Sequence, residues 1–227
     1  MARRKQTIGI CEYCKQELAK SGISRHFVSC QKRKEIIAKN EKSKASTENI
    51  YHLRIQDAWA GNFWFDVEIR GSATLEDLDY YLRTIWLECC GHLSQFSIGG
   101  WRGDEIDMDK KVDEVFQEGL ELTHIYDFGT TSETIIKVKG VRKGKLNTKH
   151  PIELMARNIL PESTCEECDQ QAVWFCQECM IEENKSGLLC DGHATIHPHD
   201  NYGEPIQIAN SPRLGMCGYD GPAEPPY

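Results

Sequence analysis

The sequence predicts an α+β fold: a mostly antiparallel sheet with one main helix, flanked by a small Cys/His module at each end. Three observations predict it. Between residues 50 and 140 apolar residues alternate with polar ones over several short runs, as in half-buried strands. One run between them changes to a period of three to four. Outside that region the cysteines fall in C-x2-C pairs followed by further Cys and His residues, as metal ligands do.

Each element has its own pattern. In "FWFDVEIRG" Phe63, Phe65, Val67 and Ile69 fall on one side of a strand and Asp66, Glu68 and Arg70 on the other. Tyr51, Leu53 and Ile55 repeat the pattern one strand earlier. In "TLEDLDYYLRTIWLECCG" Leu75, Leu78, Leu82, Ile85 and Cys89 share one helical stripe, Thr74 with Asp77 forms a capping box, and Gly91 ends the helix. Cys89 and Cys90 read as small buried hydrophobes. Strands follow at "HLSQFSIGGW" and "LELTHIYDFG", with a short helix over Val112, Val115 and Phe116 between them, and "ETIIKVKGV" closes a hairpin through a turn near Gly129. The "DFG" triplet is not kinase-like, because the glycine-rich and catalytic loops that give it meaning are missing.

The first Cys/His pattern is Cys11-x2-Cys14-x11-His26-x3-Cys30. It follows the spacing of a small ββα zinc finger, in which a knuckle supplies two ligands and a helix capped by Ser24 presents the other two one turn apart. The second runs Cys165, Cys168, Cys176, Cys179, Cys190, His193, His197, His199, enough donors for two ions. About three zinc ions per chain are therefore expected, in shells closed by four N or S donors, which are structural rather than catalytic. Cys217 is a rival fourth ligand for the last site, and with it a single-zinc ribbon stays open as an alternative.

Charge divides the chain. Residues 1–46 hold twelve Lys or Arg against four acids, a net of +8 that leaves −16 for the remainder of a chain carrying −8. The segment 137–149 breaks the acidic rule with six Lys or Arg and reads as an exposed basic loop. Lys32, Arg33 and Lys34 continue the finger helix, and Lys20 and Arg25 flank its start, so Arg25, Lys32, Arg33 and Lys34 are the candidate nucleic-acid contacts. "KNEKSKASTEN" (39–49) reads as a flexible linker on which the finger moves independently. No apolar run reaches the ~18 residues of a membrane span, no apolar segment follows the basic start as in a secretory signal, and the C-x2-C pairs fit a reducing, cytoplasmic setting.

"ATLEDLDYYLRTIW", "GHLSQFSIGG" and "YDFG" in this order, closed by "NSPRLGMCGYDG", resemble the plasmid Ri open-reading-frame-three-like family, also labelled insertion-element passenger proteins. The resemblance covers about residues 48–140 and the C-terminal segment, and "SGISRHFVSC" is similar to the N-terminal finger of some relatives. It implies an α+β domain and a link to mobile elements, without an established reaction. Where many relatives follow the "DFG" with acidic, Trp and His positions, Thr130, Thr131, Ser132 and Thr134 stand here. The C-terminal ligand order is similar to B-box and related cross-brace modules. That implies one site from Cys165, Cys168, Cys190 and His193 and another from Cys176, Cys179, His197 and His199.

The domains expected are a finger (1–36), a linker (37–47), a core (48–160) and a cross-brace module with its tail (161–227). The function expected is a zinc-stabilised binding protein, not an enzyme, associating with DNA or RNA through the finger. The alternatives are an adaptor for a protein partner and, further off, a metal-dependent hydrolase centred on His92, His124 and Asp127.

Overall fold

The computed structural model describes residues 7–87, 91–219 and 221. Cys89 and Cys90 lie outside them. The fold is α+β, as the sequence predicts, around a nine-stranded antiparallel sheet. In chain order its strands and helices are β1 (Ile8–Cys11), β2 (Glu17–Ala19), α1 (Lys20–Ser29), α2 (Gln31–Glu41), β3 (Glu48–Asp57), β4 (Trp64–Arg70), α3 (Leu75–Leu82), β5 (Ser94–Ile98), β6 (Asp104–Ile106), α4 (Val112–Val115), β7 (Glu121–Tyr126), β8 (Ser132–Gly144) and β9 (Ile152–Asn158). The spatial order is β2-β1-β9-β4-β3-β8-β7-β5-β6. A smaller sheet, β11 (Leu188–Leu189), β10 (Trp174–Phe175) and β12 (Ile206–Gln207), carries α5 (Gln177–Ile181) and α6 (Asp191–Thr195).

The main core lies between one face of the large sheet and α3. Tyr51, Leu53, Ile55, Phe65, Val67 and Ile69 meet Leu75, Leu78, Leu82 and Ile85, all buried. Thr74 caps α3: its hydroxyl accepts from Asp77 N at 3.2 Å while the Asp77 carboxylate accepts from Thr74 N at 2.9 Å. Past Leu82 the helix loosens into a π turn over Arg83–Leu87. Thr74→Ala removes a capping oxygen and is expected to cost about 1 kcal/mol, read as a small drop in melting temperature with the far-ultraviolet spectrum unchanged.

The opposite face holds the first departure from the sequence reading. The N-terminal finger is not an independent unit on a linker. Its strand β1 pairs with β9, placing Gly9 opposite Asn158 and Cys11 opposite Ala156, and so extends the sheet. Gly9 permits this, since a Cβ there would meet the Trp64 ring at 2.5 Å and Arg157 O at 2.7 Å. Ile23 and Phe27 of α1 pack with Trp64, Met155 and Ala156 in a second core. Strand β4 is therefore buried on both faces over Trp64–Ile69 rather than half-buried. The segment read as a linker is helical as far as Glu41 and becomes β3 at Glu48.

The helix start also moves. α1 begins at Lys20, directly from β2, with Lys20 N donating to Thr7 O. Ser24 lies inside the helix and accepts from Arg54 Nη2 at 3.4 Å, so it does not cap. Cys30, at ψ 110°, breaks the helix, and Lys32, Arg33 and Lys34 belong to a second helix rather than to a continuation. The segment 137–149 is not a loop over most of its length: residues through Gly144 form the long strand β8, paired with β3 and β7. Strands β6 and β9 carry no alternation and were not anticipated.

Candidate metal centres and the head–sheet interface

Three groups of four converge, their ligand atoms all within 4.8 Å of one another: Cys11, Cys14, His26 and Cys30; Cys165, Cys168, Cys190 and His193; Cys176, Cys179, His197 and His199. Local structure explains each convergence. In the first, Cys11 ends β1, Cys14 follows in the knuckle, His26 sits in the last turn of α1 and Cys30 at the α1–α2 break. In the second, Cys165 and Cys168 lie before β10, and Cys190 and His193 bracket the start of α6. In the third, Cys176 and Cys179 flank the start of α5, and His197 and His199 come from the extended segment after α6, their rings 4.7 Å apart and nearly perpendicular.

The spacings test what such a set can hold. A tetrahedral ion with metal–sulfur bonds of about 2.3 Å and metal–nitrogen bonds of about 2.0 Å sets its ligands about 3.8 Å apart for S–S, about 3.5 Å for S–N and about 3.3 Å for N–N. Cys168 Sγ and Cys190 Sγ are 3.8 Å apart, and His193 Nδ1 stands 3.5 Å from Cys165 Sγ, 3.5 Å from Cys168 Sγ and 3.3 Å from Cys190 Sγ. One ring nitrogen facing three sulfurs cannot hydrogen-bond to all of them, yet it is one vertex of a ligand tetrahedron. Cys14 Sγ lies 3.3 Å from His26 Nε2. In the third group Cys179 Sγ is 3.2 Å from both His197 Nε2 and His199 Nδ1, and those nitrogens are 3.2 Å apart. The donor sets fit a metal ion. Burial, the largest influence, pushes the Cys11 and Cys179 thiols up to about 12, so thiolates there need a cation beside them.

Cys217 is not a rival ligand. Its Sγ lies 3.3 Å from Arg213 Nη2, on the segment that straps across the core through Ser211 to Trp86 O at 2.5 Å. Sequence reasoning missed one partner of the third centre: Glu183 Oε1 stands 3.4 Å from His199 Nε2, on the side of the ring away from the sulfurs, as carboxylates do behind metal-bound histidines.

Between the N-terminal head, the finger together with α2, and the sheet lies a buried polar layer. Glu68, 2% exposed, accepts from Arg33 Nη2 at 2.5 Å and from Arg142 Nε and Nη2 at 2.9 and 2.6 Å. Asp66 pairs with His52 Nε2 at 2.8 Å and Arg54 Nε at 2.9 Å. Burial pushes Glu68 upward, but the hydrogen bonds and charges of Arg142 and then Arg33 outweigh it and leave the carboxyl below its usual range. Arg33, a sequence candidate for phosphate contact, is thus committed to the interior. Lys20 turns inward as well, onto Gly61 O at 2.6 Å, where burial and then Arg54 bring its ammonium down to about 8. Arg25, Lys32 and Lys34 are exposed; Lys32 has Glu35 at 3.4 Å and no closer acid.

His92, His124 and Asp127 serve as ties in the fold. His124 is fully buried with Nε2 2.7 Å from Asp79 Oδ1, while Asp79 Oδ2 accepts from Arg83 Nε at 2.7 Å. Burial holds His124 down; Asp79, despite its own burial, is brought to about 2 by His124 and Arg83. Asp127 accepts from Arg213 Nη2 at 3.0 Å, and His92 is 3.8 Å from the same carboxylate.

No family model and no curated protein matches the chain. Two solved chains match, one of them a protein of unknown function from Methanosarcina mazei Go1, with TM-score 0.40 and 18% identity, covering 47% of this chain and 67% of that one. No helix among the described residues is long and apolar enough to cross a membrane.

Proposed function

We propose that this is a zinc-stabilised binding protein rather than an enzyme, and that its head associates with nucleic acid. The observation carrying the zinc reading is the match between the ligand spacings and the edges of a zinc tetrahedron. Zinc in such sites supplies a structural cross-link, and four N or S donors leave no coordination position for a substrate water. The nucleic-acid reading rests on the basic head, where Arg25, Lys32 and Lys34 of the four candidate contacts face solvent and Arg33 does not. One observation favours an adaptor instead, since Arg33 already shows the head gripping an acidic surface, that of its own sheet.

Salt dependence separates the two. Affinity for a DNA or RNA duplex, measured by fluorescence anisotropy, should fall with a log-log slope of about −0.9 per phosphate neutralised, and Arg25→Ala, Lys32→Ala and Lys34→Ala together should flatten it by about 2.7 with zinc retained. An adaptor would show no nucleic-acid binding at ~150 mM salt.

A further inference from the structure

The head does not act alone. We infer that the nucleic-acid surface is a composite seam, in which the helices α1–α2 and the strand β8 line the two sides of one basic track that accepts the phosphate backbone of a duplex. This rests on the nucleic-acid reading above and adds to it Lys137 and Lys139, which stand far beyond the head helices α1 and α2 in sequence.

Three tie points fix the arrangement. At one end, Arg54 of β3 reaches Ser24 of α1, and the residue paired with Arg54 on the next strand is Lys137. In the middle, Glu68 is held by Arg33 from α2 and by Arg142 from β8. At the far end, Lys145 donates to Glu41 O at 3.1 Å and Ser43 O at 2.7 Å, where α2 has just ended. The points occur in the same order along both partners, so the helix pair runs alongside β8 from residue 137 to its end at Gly144 and on to Lys145. At about 3.3 Å per residue that is a track of roughly 25 Å, about seven base pairs of duplex.

Face assignment places the lysines. On β8, Ile136 and Val138 point into the core against α3, so Lys137 between them, opposite Arg54, points to the face that carries the head, and Lys139 follows at the bulge where the register with β3 shifts. Both are exposed. Glu121 stands 3.5 Å from Lys137, but that pair is open to solvent, 47% and 54% exposed, and is readily exchanged for a phosphate. The interior cations of the seam, Arg33, Arg142 and Lys145, are taken by Glu68 and by backbone carbonyls. They build the track and do not contact its occupant. Arg25, Lys32 and Lys34 on one side and Lys137 and Lys139 on the other are its contact residues.

The test uses the full zinc-loaded chain and a labelled 16-base-pair DNA duplex. Lys137→Gln with Lys139→Gln should reduce the log-log salt slope by about 1.8, so that the loss of affinity between 50 and 200 mM salt shrinks about twelvefold. Lys110→Gln with Lys111→Gln, exposed lysines beside α4 on the α3 side of the sheet, removes the same charge away from the seam and should leave the slope unchanged. If the Lys137/Lys139 variant keeps the wild-type slope while the Arg25/Lys32/Lys34 variant loses it, the seam is overturned and the head reading stands. Equal flattening by both lysine pairs also overturns the seam, since net charge alone would then explain the binding. Absence of binding by the wild-type chain at ~50 mM salt ends both readings.

Discussion

Glu68→Gln is expected to lower stability by about 3 to 5 kcal/mol, because it leaves two guanidinium groups in the interior without the carboxylate that accepts from both. At ~2 to 4 °C per kcal/mol for a chain of this size, the melting temperature should fall on the order of 10 °C. The carboxylate is nearly inaccessible, and its partners come from two different elements, α2 and β8. Its loss therefore loosens the head from the sheet as well as weakening the core. The dependence on pH has a definite sign. The folded carboxyl is held below its ordinary value, so its stabilisation is complete above the ordinary glutamate range and disappears as pH falls through the depressed folded value. The gap between wild type and variant should accordingly narrow on acidification. Glu153, paired with Glu68 across β4 and β9, is shifted the other way by burial and then by the Glu68 charge, so the variant recovers part of that cost. Replacing all three residues, with Glu68→Leu, Arg33→Met and Arg142→Met, should restore most of the lost stability, because removing the charges together avoids stranding any of them. Thermal melts of wild type, single and triple variants across pH 3 to 7 decide the matter. A Gln variant that melts within ~2 °C of wild type at neutral pH would show that the layer is not what holds the head.

The contrast between this layer and the metal centres explains what a sequence reveals. The candidate ligands were legible because metal-ligand spacing is local chemistry: a C-x2-C knuckle, and a His four residues before a Cys, declare a geometry before any fold is known, whereas the division of the eight C-terminal donors into two sets came from the resemblance to cross-brace modules. The helix α3 was legible for the same reason, its stripe and its Thr74 cap being contained in one segment. Glu68 was not. Arg33 and Arg142 lie 35 and 74 residues away, and the alternation of β4 reads the same whether its polar face meets water or a second layer of protein. Once the head covers that face, Asp66 and Glu68 become interior charges, and a cation that looked free for phosphate is spent on one of them. Strand β9 was missed for a related cause. "IELMARN" is buried on both faces over most of its length and so has no alternation to show. The basic run 137–149 reads as a loop because charge density dominates it and because the bulge after Val138 interrupts the alternation that Ile136 and Val138 begin. The same covering decides which basic residues stay available, and so a seam between two distant segments becomes visible only in three dimensions.

Removal of metal is expected to have the other large effect, and a different one at each end of the chain. Purified protein should contain close to three zinc ions by elemental analysis. Cys168→Ser should lose one and should also unfold much of the C-terminal module, whose apolar cluster is only Cys176, Cys179 and Leu189 with Trp174 and Ala194 against it, three of these five lying outside the metal shells. Structural zinc contributes ~10 to 16 kcal/mol in comparable peptides, far more than so small a cluster supplies. The main sheet should remain folded, because its core between β3, β4, β8 and α3 contains no ligand. Cys11→Ser acts elsewhere. Cys11 is fully buried in the cluster with Trp64, Met155 and Ala156, so losing that centre should release α1 and α2 and open Trp64 and Glu68 to water. Hydrogen exchange separates the outcomes: in Cys168→Ser, protection should vanish in β10, β11 and α6 and persist in β3, β4 and β8; in Cys11→Ser it should vanish in α1 and α2. Finding one zinc or none in the wild type would sink the metal reading at both ends. If Cys168→Ser kept three zinc ions, or the large sheet lost its protection together with the module, the centres would not be the separate structural cross-links that their ligand spacings describe.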